Sequence, residues 1–112
     1  MDLIIDEIVL QGSEDWVYSP IVVRAVEGAT GFSGESLLRA TLEVVREILN
    51  RGLMEVGDEG PGFVPWRMTV PPSVARIEAK WRAAGLDAKQ DFDCWFANTV
   101  AGNQRAQALR VM

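Results

Sequence analysis

Residues 28 to 53 read GATGFSGESLLRATLEVVREILNRGL, and this stretch decides the fold. Within it Leu37, Leu38, Leu42, Val45, Ile48 and Leu49 recur at three- and four-residue spacing, which lines them up as one apolar stripe on a helix spanning about 34 to 51. Glu35, Arg39, Glu43, Arg46 and Glu47 fall mostly on the opposite side. Ser33 stands where an N-cap is expected. At the other end, Arg51-Gly52-Leu53 places a glycine at the left-handed cap position, followed by an apolar residue able to fold back on the helix. Upstream, Gly28-Ala29-Thr30-Gly31-Phe32 is a glycine-bearing turn of the kind that joins two crossed helices.

Towards the N-terminus, Ser19-Pro20 reads as a cap followed by proline at the first helical position, opening a helix through Ile21, Val22, Ala25 and Val26 to Gly28. Before it, Leu3, Ile4, Ile8 and Leu10 predict a short first helix that Gln11-Gly12-Ser13 ends. Towards the C-terminus, Leu53 to Val56, the glycine-rich run from Gly57 to Gly62, and Phe63 to Trp66 read as a strand, a turn and a returning strand. Met68 to Pro72 is predicted extended, because proline biases the residue before it away from helix, and Ser73 is expected to cap a fourth helix. That helix carries Val74, Ile77 and Trp81 on one face and stops at Gly85. From Asp91 to Ala97 the chain alternates, with Phe92, Cys94 and Phe96 on one face and Asp91, Asp93 and Trp95 on the other, which predicts a third strand beside the hairpin. Thr99 is expected to cap a last helix packed through Val100, Ala106 and Leu109, with Gly102 weakening its first turn.

A chain of 112 residues, 48% hydrophobic and 24% charged, can bury one core without disulfides or metal. With one cysteine and no histidine, a single chain holds no disulfide, no histidine-ligated metal and no histidine acid-base chemistry. The acidic start, and the lack of an apolar run near the roughly 18 residues of a membrane span, lead us to expect a cytoplasmic protein. The net charge of −5 hides a division. Residues 1 to 62 hold four arginines against twelve Asp and Glu, a balance of −8, whereas residues 63 to 112 hold seven Lys and Arg against four acids, a balance of +3. The two halves should attract each other.

Three helices, a glycine-bearing turn before the third, and Arg51-Gly52-Leu53 running into a hairpin resemble the winged helix-turn-helix superfamily of bacterial regulators. Asn50-Arg51-Gly52-Leu53 resembles the passage from recognition helix to wing. Trp95-Phe96-Ala97-Asn98-Thr99-Val100-Ala101-Gly102 resembles the aromatic, threonine, two-residue, glycine pattern by which phenolic-acid-type and antibiotic-resistance-type repressors pass from wing to C-terminal helix. The resemblance covers residues 1 to 66 and 91 to 110. It implies one α+β domain with a helical core over 1–52, a wing over 53–66, an inserted helix within 67–90, either inside or after the wing, and a strand and helix over 91–112. It also implies dimers that bind DNA through the third helix, whose recognition face would be Ser33, Glu35, Ser36, Arg39 and Glu43.

The charges oppose that use. Duplex DNA is held mainly by clustered Lys and Arg, yet on the start of the third helix only Arg39 is suited to guanine readout, and the wing tip offers Asp58 and Glu59. We therefore expect a non-enzymatic winged-helix-like interaction module that binds a protein partner or itself as a homodimer, with a DNA-binding transcriptional regulator as the alternative. Trp95 and Trp16 are the candidate interface aromatics. Trp95 stands out because its same-face neighbours Asp91 and Asp93 are acids. Asp91 and Asp93 read as a solvated strand face, Gly28, Gly31 and Gly34 as a turn, and Cys94 as a small buried hydrophobe. No catalytic residue, cofactor or metal is expected.

Overall fold

In the computed structural model, which describes residues 1–86 and 93–111, the predicted third helix is α3 (Gly34–Asn50). Leu37, Leu38, Leu42, Val45 and Ile48 are buried along it, and Thr41 and Val44 widen the buried arc beyond the expected stripe. Leu49 is half-buried. The helix ends as its sequence demands. Gly52 takes φ +68°, its amide donates to the Leu49 carbonyl at 3.1 Å, and the Leu53 amide donates to the Ile48 carbonyl at 3.1 Å. These two bonds satisfy carbonyls that the end of the helix would otherwise orphan.

The described residues form an α+β structure of five helices and four strands. In chain order these are α1 (Asp2–Gly12), β1 (Val17–Tyr18), α2 (Ser19–Thr30), α3, β2 (Met54–Glu59), β3 (Phe63–Pro65), α4 (Val70–Ala84), β4 (Trp95–Asn98) and α5 (Val100–Arg110). The sheet is antiparallel with order β1-β4-β2-β3, so the last strand of the chain lies between the first two. Val17, Phe96 and Val56 form one cross-strand row on its inner face. All three are buried and join Ile5, Ile8 and Val9 of α1, Val22, Val23 and Val26 of α2, and Val74, Ile77 and Trp81 of α4 in one core. Each such side chain contributes about 1.5–3 kcal/mol when fully buried.

Several boundaries differ from expectation. Tyr18, not Ser19, is the N-cap of α2, and Ser19 is a buried first-turn residue beside Pro20. α2 continues past Gly28 to Thr30 and stops at Gly31, φ +72°, so the turn to α3 is shorter than predicted. Ser33 occupies the N-cap of α3 but makes no side-chain capping bond. α4 starts at Val70 rather than beyond Ser73, because Pro71 and Pro72 fall in the first turn, where no intrahelical amide donor is needed. Thr69 is the cap and Ser73 is buried within the helix. β2 runs on to Glu59, and β3 ends at Pro65, although the Trp66 amide still reaches the Val56 carbonyl at 3.0 Å. The fourth strand starts at Trp95, after Asp93 at φ +48°. Asp91 and Phe92 lie outside the described residues.

Thr99 caps α5 as expected, accepting from the Gly102 amide at 3.1 Å, and its hydroxyl also donates to the Gly52 carbonyl at 2.5 Å. Gly102 has a reason that propensity alone conceals. A Cβ there would strike the Leu53 carbonyl, so only glycine lets α5 seat against the end of α3.

Candidate interaction surface

Ser33, Glu35, Ser36, Arg39 and Glu43 are all exposed, as a recognition face requires. The cations on and beside that face are already engaged. Arg82 of α4 donates to both Glu35 oxygens at 3.0 and 2.9 Å, and Arg39 lies 3.6 Å from the same carboxylate. Arg46 binds Glu43 at 2.6 Å, and Arg51 binds Glu47 at 2.8 Å and Asp2 at 3.0 Å. Hydrogen bonding from Arg82 lowers the pKa of the Glu35 carboxyl below its ordinary value against a partial desolvation penalty, with the charges of Arg82 and Arg39 adding to the effect. The same pairing with Glu35, and then with Glu78, raises the pKa of Arg82. Both partners are thus held in their charged forms.

The charge division of the sequence reappears as contacts. Arg105 grips Asp6 at 3.0 and 2.9 Å, Arg110 meets Glu14 at 2.6 Å, Arg82 holds Glu35, and Arg76 lies 3.8 Å from Asp58. Every one of these pairs joins an acid of the first 62 residues to an arginine of the rest. Such pairs on an exposed surface orient elements more than they stabilise them. Asp58 and Glu59 are not at the hairpin tip, as predicted, but within β2, because the strand is longer than its glycine content implied. The tip is the uncharged Gly60-Pro61-Gly62.

The outer face of the sheet has a different character. Strand alternation puts Tyr18, Trp95, Gly57 and Pro65 in one cross-strand row, opposite the buried row of Val17, Phe96 and Val56. The Tyr18 and Trp95 rings stack with centroids 4.4 Å apart at 30°. Trp16 meets Trp95 edge-on at 6.3 Å and Phe63 at 5.6 Å. Gly57 makes room for this cluster, since a Cβ there would collide with the Val64 carbonyl and press on the Phe63 ring. All four aromatics are half-buried, and Glu55, Glu59 and Asp93 nearby are exposed. At the end of this face a notch of about 370 Å³ is lined by Tyr18, Trp95, Asp58, Glu59 and Asp93.

The structure therefore brings together Trp16 and Trp95, the two aromatics singled out in the sequence, and adds Tyr18 and Phe63. Trp81 is a core residue, 1% exposed, and Trp66 lies half-buried under the Arg76 guanidinium, 4.0 Å from its ring. A second concavity of about 460 Å³ opens where β3 leaves β2, lined by Leu49, Met54, Val56, Trp66, Met68 and Val70 among others. Cys94 is buried, and desolvation pushes its thiol pKa far up, as befits a packing residue. Among the described residues, no cluster of three or more acidic, cysteine or histidine side chains is placed to hold a metal, and no helix is long and apolar enough to cross a membrane. No family model matches the chain, and neither a curated protein nor a solved structure is similar to it.

Proposed function

We propose that this chain is a winged-helix-like module, without catalytic chemistry of its own, that binds another protein through the outer face of its sheet. The order α1, β1, α2, α3, β2 supports the winged-helix reading, as does the return of β4 between β1 and β2. In that reading β2 and β4 are the two wing strands, and residues 60–94, with β3 and α4, interrupt the wing. The observation that carries the protein-binding reading is the half-exposed cluster of Trp16, Tyr18, Phe63 and Trp95. Aromatics presented together at a surface are the side chains that most often dominate protein interfaces. The face of α3 lacks the surplus of free cations that phosphate docking needs.

Fluorescence anisotropy with mixed-sequence duplex DNA at low salt tests this reading. No binding is expected at micromolar protein, and affinity that falls steeply with added salt would identify a DNA-binding regulator instead. Self-association is the second form of this reading, with Leu3 on α1, 86% exposed, as the apolar side chain that a second copy would cover. Light scattering on a sizing column is expected to give the mass of two chains at high micromolar concentration. The mass of one chain there would remove the homodimer.

A further inference from the structure

We propose that the notch at the end of the sheet receives a cationic side chain, and that the partner segment docking on the outer sheet face is basic and presents an arginine to Tyr18 and Trp95. This rests on the reading of the sheet face as a protein-docking surface and specifies its occupant. Stacked aromatic rings offer negative π-faces to a cation, and Tyr18 and Trp95 form one wall of the notch. The acidic residues Asp58, Glu59 and Asp93 complete its lining. Among the described residues two cations stand beside these acids: Arg76, 3.8 Å from the Asp58 carboxylate, and Lys80, whose ammonium donates to the Asp93 main-chain carbonyl at 3.3 Å. Glu59, exposed at the rim, makes no ion pair among the described residues, and it is the carboxylate that an incoming cation would meet. A guanidinium suits this arrangement better than an ammonium, because it stacks on an indole while its edge donates two hydrogen bonds to one carboxylate. The volume, near the low end for ligand sites, suits one side chain. Trp16 and Phe63 supply apolar surface for the residues flanking it.

The test is an NMR titration of the full ¹⁵N-labelled chain with the blocked peptide acetyl-Gly-Arg-Gly-Arg-Gly-amide and with its citrulline counterpart, which keeps the shape and loses the charge. The arginine peptide is expected to move the Trp95 indole N–H and the Tyr18 and Glu59 amides saturably, and the citrulline peptide to bind about tenfold more weakly. Trp95→Leu should cost about tenfold in affinity. Glu59→Gln, an exposed substitution that leaves the fold alone, should cost about threefold. Equal binding of the two peptides would overturn the cation site while leaving an apolar docking face in place. Shifts scattered over every acidic patch and insensitive to Glu59→Gln would reduce the effect to non-specific ion pairing and overturn the proposal. Movement of the same signals on concentrating the chain alone would put a second copy on the face, in place of a basic segment.

Discussion

The outer face of α3 and the outer face of the sheet both look into solvent, and they are built from opposite chemistry. On α3 a run of charged side chains is closed on itself, with Arg39, Arg46 and Arg51 each beside a carboxylate of the same helix and Glu35 clamped from α4 by Arg82. On the sheet four aromatic rings are gathered over a glycine, with Glu59 at the edge outside any ion pair among the described residues. A surface whose charges are satisfied internally has little to offer a partner. One that leaves large rings half-covered retains apolar area to bury. The α3 face, which a winged-helix resemblance would set against DNA, is thus the less available of the two.

The largest expected effect is on the sheet side. Gly57→Val drives a side chain into the Val64 carbonyl and the Phe63 ring, and should lower stability by about 1–3 kcal/mol in chemical denaturation, with loss of the near-ultraviolet aromatic signal. Retention of both stability and signal would mean that the rings do not gather over Gly57. Trp95→Ala removes the stack on Tyr18 and the edge contact with Trp16, and should cost about 1–2 kcal/mol, measured by thermal or urea unfolding. On the α3 side Arg82→Ala should have a smaller effect with a distinctive pH dependence. Because the Arg82 guanidinium holds the folded-state pKa of Glu35 below the ordinary carboxylate value, the stability from its pairing is present above the unfolded-state value and is lost as pH falls through the folded one. The difference between wild type and Arg82→Ala should therefore be seen near neutrality and vanish in acid. Arg39→Ala is expected to be silent in unfolding experiments, since the pair is long and the side chain 74% exposed.

How much of this was legible in the sequence follows from how local each cause is. The stripe of α3 and its stop at Gly52-Leu53 depend on residues within one helix, and both are present as read. The start of α4 is not legible, because a proline signals an extended residue before it and equally a helical first turn, and here Pro71 and Pro72 sit in the first turn. The length of β2 is hidden because Gly57 resembles a turn residue in the sequence, whereas its role is to lie under Phe63. The attraction between the halves was readable as a sum, but its partners, such as Asp6 with Arg105, are set by the packing of α1 against α5. Trp95 could be named from its acidic same-face neighbours in the sequence, and Trp16 only as a second tryptophan. Tyr18 and Phe63 could not, because their place in the cluster depends on β4 pairing with β1 and on β3 folding back over Gly57.

The claim that the sheet, and not α3, is the working surface is tested most directly by following both faces at once in one labelled sample. In an amide NMR titration with the arginine peptide followed by duplex DNA, we predict shifts at Tyr18, Glu59 and the Trp95 indole on adding peptide. Ser36, Arg39 and Glu43 should stay in place on adding DNA. Salt-sensitive shifts concentrated on Ser36, Arg39 and Glu43 when the duplex is added, with the Trp95 indole unmoved by peptide, would contradict it.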